Sequence, residues 1–505
     1  MQNGTMIQFF HWYIPADGQF WKKIAEEAPR LSMLGIDALW LPPAFKSTGG
    51  GYATGYDIYD LYDMGEFDQK GSVRTKYGTR EEYLAAIKKI QSEGMQAYVD
   101  IVLNHLGGGD EKELIRVEKM DPENRRQSIS PPYDIEAYTK FTYPGRQGKY
   151  SEFVWNYTCF SGVDYDDITK ESAIYKILND FGSEWEDMIT DEKGNYDYLM
   201  YNDVEFRNPA VREELKRWGE WYFQTAGFDG FRLDAVKHIA PQFYNEWLSH
   251  MRTFTGRELF AVGEYWAPGN LPLLLKYIEA SEGKMSLFDA ALHNTLRQAS
   301  ISGQDFDMTT IFNDSLVSVQ PQLSVTVADN HDTQPLQALE APVEPWFKPI
   351  AYALILLREA GYPCIFYPDL YGADYTDKGR DGQEYHIVLP QIEELPLLLL
   401  ARKEISFGPQ QDHFDHANCI GWVREGEPEK PGSGCAVVLS NGDAGNKTMS
   451  LGKTHANEKF VDLLGHRPEE ITTNEEGTAE FFCGAGKVSV WVEASKAEAL
   501  KELLK

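Results

Sequence analysis

The chain predicts an α/β fold: a (β/α)8 TIM barrel with an inserted β-rich domain after its third strand and a C-terminal antiparallel β-sandwich domain. Three observations carry this. Short apolar runs alternate with amphipathic helical stretches from Met1 to about residue 400. The alternation stops over residues 104–207, which are rich in Tyr, Asp, Gly and Asn. From residue 402 onward, short runs split by turn residues take over.

The candidate barrel strands are residues 5–10, 38–41, 97–102, 230–233, 259–262, 286–289, 324–327 and 364–367. Helical patterns fall between them at 20–34, 80–93, 209–226, 241–254 and 349–360, and Pro209, Pro241 and Pro349 stand at starts, where a helix tolerates proline. Roughly a hundred residues is too long for a simple loop in a compact unit. Residues 104–207 therefore read as a domain inserted into a barrel built from 1–103 and 208–401. In the C-terminal domain, 402–505, the runs 435–439, 479–483 and 488–492 read as antiparallel strands, with a turn at Asn441-Gly-Asp443 and a closing helix over 494–505. No long-period repeat or low-complexity segment interrupts this plan.

Composition narrows the function. The chain has 48 basic and 78 acidic residues, a formal net charge of −30. Such a surface repels phosphate backbones, so no nucleic-acid partner is expected and polyanionic substrates are disfavoured. A neutral polymer meets no such barrier. Aromatics are 13% of the chain, with 12 Trp and 28 Tyr, enough both for large cores and for rings that stack on sugar faces. The five cysteines are odd in number, widely spaced and free of any C-x-x-C, which reads as a reduced, cytoplasmic protein. No signal-peptide pattern opens the sequence, and no apolar run is long enough to span a membrane, so neither export nor membrane attachment is expected.

Four segments share one design, an apolar run ending in a polar cluster with a carboxylate: Asp100-Ile-Val-Leu-Asn-His105, Gly230-Phe-Arg-Leu-Asp-Ala-Val-Lys-His238, Val262-Gly-Glu-Tyr-Trp266 and Val327-Ala-Asp-Asn-His-Asp332. In a barrel of this type, side chains at the C-terminal strand ends face the active site. One carboxylate there could be a cap or a salt bridge. Asp100, Asp234, Glu264 and Asp332 on four separate strand ends, three of them flanked by His105, Arg232 or His331, point to glycoside chemistry. Arg232 and Asp234 are two residues apart and share a strand face, so the guanidinium keeps Asp234 ionised and fit to be a nucleophile. Glu264 precedes Tyr265 and Trp266, whose desolvation raises its pKa and suits it to act as acid, then base. Asp332, next to His331, is placed to orient substrate hydroxyls.

These segments resemble the signature regions of the α-amylase family, glycoside hydrolase family 13. Phe10-His-Trp-Tyr-Ile-Pro15, Trp40-Leu-Pro-Pro43, Gly55-Tyr-Asp-Ile-Tyr-Asp-Leu-Tyr-Asp63, Lys76-Tyr-Gly-Thr79 and Trp346-Phe-Lys-Pro349 are similar to its bacterial liquefying branch. Phe160-Ser-Gly162 and Tyr367-Pro-Asp-Leu-Tyr371 look closest to its cytoplasmic members. The resemblance covers about residues 1–492. It implies retaining endo-hydrolysis of α-1,4-glucosidic bonds in starch, glycogen or maltodextrins by a monomer. Asp234 is then the nucleophile, Glu264 the acid/base and Asp332 the transition-state stabiliser. Tyr56, His105, Arg232 and His331 line the subsite of the cleaved glucose, Lys237 and His238 contact the leaving-group side, and Trp12 is a stacking platform further along.

The resemblance also implies calcium. Asn104, then Asp197 and Asp203 within Asn195-Tyr-Asp-Tyr-Leu-Met-Tyr-Asn-Asp203, match the family's site, with His238 adding a backbone carbonyl. Ser161, Glu205 and Arg207 stand where a larger metal cluster would need further ligands, mostly Asp, and Arg207 would repel a cation, so one Ca2+ is expected. The region of a second family site, Phe414-Asp-His-Ala-Asn418 with Asn441, has lost acidic ligands.

Other patterns are weaker. Gly49-Gly-Gly-Tyr-Ala-Thr-Gly55 fits neither G-x-G-x-x-G nor a P-loop and reads as a loop that approaches the cleft. His11, His293, His386 and His416 lack ligand spacing and read as structural; Asn3 and Asn446 open glycosylation sequons, common by chance. Two alternatives stay open: a relative with the same triad doing transglycosylation or α-1,6 hydrolysis, and a non-catalytic glycan-binding barrel.

Overall fold

A computed structural model of the chain describes residues 3–182 and 184–505. Eight strands close into a parallel barrel: β1 (Met6–Gln8), β2 (Ala38–Trp40), β3 (Gln96–Ile101), β4 (Gly230–Leu233), β5 (Phe260–Gly263), β6 (Ser286–Phe288), β7 (Ser324–Val327) and β8 (Tyr362–Phe366). Each pairs with the next in chain order, and β8 returns to β1 through Met6↔Cys364. Both faces of these strands are covered, so they read in sequence as unbroken apolar runs. All eight candidate strands form.

The covering helices start where their chemistry dictates. Helix α1 is Phe20–Leu34 and α2 is Arg80–Ser92. Thr79 caps α2 with a reciprocal Glu82 contact, a capping box. Asn208 accepts from Ala210 N and Pro209 takes the first position of α3 (Pro209–Ala226), followed by α4 (Pro241–Thr255). Each buries one apolar stripe on the barrel; in α3 that stripe includes Val211, Leu215, Trp218 and Tyr222.

Between β3 and α3 lies a six-stranded sheet in the order His105–Leu106, Asn202–Val204, Phe160–Asp166, Glu171–Ile177, Glu111–Lys119 and Tyr133–Lys140. Its first and last strands in chain order, His105–Leu106 and Asn202–Val204, leave and re-enter the barrel beside the cleft. Past the barrel, Gln410–His413, Cys419–Arg424, Cys435–Ser440, Val488–Glu493, Lys459–Asp462 and Glu470–Thr472 form one antiparallel sheet. A second, Gly445–Ser450 with Thr478–Cys483, packs on it, and the chain ends in helix Ala494–Glu502. Two elements go beyond the sequence reading: the hairpin Ala373–Lys378 with Glu384–Leu389, whose side chains are mostly exposed, and helix Leu395–Glu404. The helix expected over 349–360 runs from Lys348 to Leu356. No helix among the described residues is long and apolar enough to cross a membrane.

Candidate active site

The site is organised around one guanidinium. Parallel register sets Arg232 of β4 directly beside Asp100 of β3 and Val262 of β5. Asp234 and Glu264 extend the ladder, donating their backbone N–H groups to Ile101 and Leu233 at 2.9 Å each. Their side chains therefore converge on Arg232, which is 1% exposed. Its Nη1 donates to Asp234 at 2.5 Å and to Asp100 at 2.9 Å, and its Nη2 donates to Glu264 at 2.6 Å. Asp100 is held in turn by Trp40 Nε1 and the Tyr56 hydroxyl, both at 2.8 Å. Burial pushes the Asp100 carboxyl up to about 6, against the pull of Arg232.

The two strand-end carboxylates differ in setting. Asp234 is ion-paired with Arg232. Glu264 is raised well above the usual carboxyl range by burial, with Asp234 and Asp332 adding to the shift and Arg232 opposing it. Of its adjacent rings, Trp266 lines the same cleft and lies against His293, and Tyr265 packs on Tyr277. Ala235, between the two, adopts φ 47°, a left-handed conformation unusual for a residue with a side chain, and aims its N–H at Glu264 at 3.2 Å. Asp332 is raised by burial and drawn back by Arg232 and by a hydrogen bond with Glu264; its side chain stays 23% exposed. The pair sets a carboxyl that holds its proton more tightly than usual beside one gripped by a guanidinium.

Imidazoles and rings line the same wall. His331 Nδ1 meets Gln8 at 2.8 Å, and its ring lies parallel to Tyr56 at 5.0 Å and to Trp12 at 6.1 Å. His105 Nε2 meets the Tyr56 carbonyl at 2.8 Å. Burial lowers His105, lowers His331 well below the ordinary histidine value, and takes His238 down to about 3. All three are neutral near pH 7 and offer hydrogen bonds rather than charge. Lys237 pairs with Glu192 from the inserted domain and reaches the Trp266 carbonyl at 3.5 Å.

These residues open onto a cleft of about 770 Å3 between barrel and insert. It takes in Trp12, Tyr56, His105, Asp234, Lys237, His238, Glu264, His331 and Asp332, whereas Arg232 lies behind the wall and acts through the carboxylates. Sequence reading missed Tyr52, Glu192, Tyr196, Met200 and Leu339, which also line it. The tyrosine-rich run at 195–203 was a signal for Tyr196; Leu339 sits in a loop after β7 with none. Tyr52 is carried on the glycine-rich loop and is 76% exposed. That loop turns at Gly50, φ 58°, where a Cβ would stand 2.2 Å from the Lys70 carbonyl.

At the junction with the insert, Asn104, Asp197 and Asp203 are buried together. Asn104 Nδ2 donates to Asp203 at 3.2 Å, and its Oδ1 has no partner. Asp197 and Asp203 are raised well above the carboxylate range by burial, with Asp203 next for the former and the Ser161 hydroxyl partly offsetting it in the latter. Glu186, with one orphaned oxygen, is pushed up to about 7 by burial and Glu205. The His238 ring is turned away to the Tyr196 carbonyl at 2.6 Å. Among the described residues, no group of three or more His, Cys, Asp or Glu stands ready to hold a metal. The candidate set is instead mixed, an amide, two carboxylates and a main-chain carbonyl, and an all-oxygen set with an orphaned acceptor suits a hard cation. Beside it, Arg207 grips Glu205 with two nitrogens at 2.7 and 2.6 Å.

The family model "Alpha amylase, catalytic domain" matches residues 17–393. The chain belongs to the α-amylase family. It is 51% identical over 493 residues to the cytoplasmic alpha-amylase of Escherichia coli (strain K12), covering 97% of this chain and 99% of that one. It is 50% identical over 491 residues to an alpha-amylase of Geobacillus stearothermophilus, covering 97% and 87%. The crystal structure of an Anoxybacillus alpha-amylase aligns with a TM-score of 0.63 at 17% identity, covering 98% of both chains, a likeness of fold. As a glycoside hydrolase of this family, the enzyme cuts α-1,4-glucosidic bonds within its substrate.

Proposed function

We propose that Asp234 attacks the anomeric carbon, that Glu264 protonates the departing oxygen and then deprotonates water, and that Asp332 binds the hydroxyls of the distorted sugar. The observation that carries this reading is the Arg232 fork, which binds Asp234 and Glu264 on neighbouring nitrogens while burial beside two carboxylates raises the pKa of Glu264. A retaining pair must lie close, about 5–5.5 Å apart, so that one group bonds directly to carbon. Attack forms a glycosyl–Asp234 ester as the proton passes from Glu264 to the leaving oxygen; water then breaks the ester and returns the proton. Tyr56, His105 and His331 donate and accept at the cleaved glucose, Lys237 and His238 on the leaving-group side, and Trp12 stacks.

The substrate on this reading is a neutral α-glucan: starch, glycogen or maltodextrin. The barrel is 1–103 with 208–401, the insert 104–207 and the C-terminal domain 402–505, working as a monomer. Five free, buried cysteines and the name of the Escherichia coli relative support a cytoplasmic protein. Asn104, Asp197, Asp203 and the His238 carbonyl would hold one Ca2+, which supplies the positive charge these buried oxygens lack. Arg207 supplies that charge to Glu205, where a second ion would otherwise sit. The test is Asp234→Asn: turnover falls by several orders of magnitude while maltodextrin binding persists. Wild-type turnover in that variant would remove Asp234 from the role, and growth of longer or branched chains would favour transglycosylation.

A further inference from the structure

Two thiols of the C-terminal sandwich are brought together by a missing side chain. Cys419 opens strand Cys419–Arg424 and Cys483 ends strand Thr478–Cys483, and the two strands belong to different sheets. Gly445 stands directly opposite Cys483 in the second sheet. A Cβ at Gly445 would lie 2.6 Å from the Cys419 sulfur and 4.0 Å from the Cys483 sulfur. The glycine therefore leaves the space that both sulfurs enter, and the Cys419 thiol also reaches the Asn446 carbonyl at 3.9 Å.

Their surroundings differ. Cys419 is 7% exposed and lines a polar cleft of about 510 Å3 with His416, Asn418, Asp443 and Lys447; Cys483 lies behind it. The neighbouring Cys483 thiol lowers the Cys419 thiol, burial opposes this, and the Lys447 ammonium, held by Asp415, lowers it further. Burial pushes Cys159 and Cys435 up to about 11 and raises Cys364. Reactivity follows thiolate character and access, which singles out Cys419.

We propose that Cys419 and Cys483 form a peroxide-sensitive dithiol, with Cys419 as the attacking and Cys483 as the resolving thiol of an inter-sheet disulfide. The Cys419 thiolate attacks hydrogen peroxide: an S–O bond forms, the O–O bond breaks, and hydroxide leaves to become water. The Cys483 sulfur then attacks the sulfenic sulfur. The S–S bond forms, the S–O bond breaks, and a second water carries off the Cys483 proton. The two thiols supply the two electrons that reduce one peroxide to two waters.

The whole protein, reduced and freed of reductant, is titrated with hydrogen peroxide, denatured and alkylated. Intact mass and a non-reducing peptide map are then read. The expected result is a mass lower by two hydrogens, two of the five thiols lost to alkylation, and a Cys419–Cys483 peptide pair that dithiothreitol separates. In Cys483→Ser the same dose leaves a sulfenic acid on Cys419 that dimedone traps; in Cys419→Ser, Cys483 stays a free thiol. The proposal is overturned if all five wild-type thiols still alkylate, if Cys419 becomes sulfinic while Cys483 remains a thiol, or if the bridge joins another pair.

Discussion

Replacing Arg232 by lysine puts the centre of the site under test. The guanidinium makes three ion pairs at 2.5, 2.6 and 2.9 Å from a position 1% exposed. A lysine ammonium is a single point of charge and cannot present two nitrogens in one plane to Asp234 and Glu264. At least one of the buried carboxylates then loses its partner. Breaking a buried pair costs about 3–5 kcal/mol, because the remaining charge stays buried. If that loss falls on the transition state, kcat/KM drops about 10²–10⁴-fold, at 1.36 kcal/mol per decade. The pH profile carries a second signature. With less cationic support Glu264, which Arg232 pulls down, rises further, and the alkaline limb of kcat/KM moves to higher pH. Reducing-end release from soluble starch across a pH series reads both, and circular dichroism with thermal melting establishes that the variant is folded. A folded Arg232→Lys enzyme with kcat/KM within about tenfold of the parent and an unmoved alkaline limb would refute the reasoning.

Three further outcomes are expected. Glu264 must hold its proton to act as acid and its pKa is raised partly by Asp332, so Asp332→Asn lowers kcat and shifts the alkaline limb to lower pH; an alkaline limb moving upward would contradict this. A chelator in excess lowers the melting temperature, since the ion binds only the folded state, and metal analysis of the untreated protein finds one calcium per chain; three or more tightly bound ions would sink the single-site reading. Tyr52→Ala removes an exposed ring from the cleft rim, raising KM roughly 2–10-fold on long maltodextrins and leaving short ones unchanged; equal KM across chain lengths would dismiss Tyr52 as a platform.

What could be read in the sequence was local. The barrel strands are buried on both faces, so each appears as an apolar run closed by a polar cluster, and the spacing of Arg232 and Asp234 puts them on one face without any knowledge of neighbours. The hairpin Ala373–Lys378 with Glu384–Leu389 has mostly exposed side chains, so no hydrophobic alternation marks it. What could not be read was set by register. That Arg232 meets Asp100 and Glu264 as well as Asp234 depends on how β3, β4 and β5 are staggered. The same holds for Lys348, which looks like an ordinary first-turn lysine of helix Lys348–Leu356, yet bridges Asp329 at 2.8 Å and Asp369 at 2.5 Å behind β7.

Register also explains why Glu264 holds its proton more tightly than an ordinary carboxyl. Aromatic neighbours in sequence suggested desolvation, and burial is the largest cause of the shift, with Trp266 lining the same cleft as Glu264. The shift comes from burial and from carboxylates delivered by other strands, Asp234 after β4 and Asp332 after β7. One cation among four carboxylates cannot neutralise them all, and burial raises Glu264 well above the carboxyl range and Asp100 to about 6 although both touch Arg232. The raised pKa of Glu264 is thus a consequence of burial and of the barrel's charge count at its rim, which together outweigh the pull of Arg232.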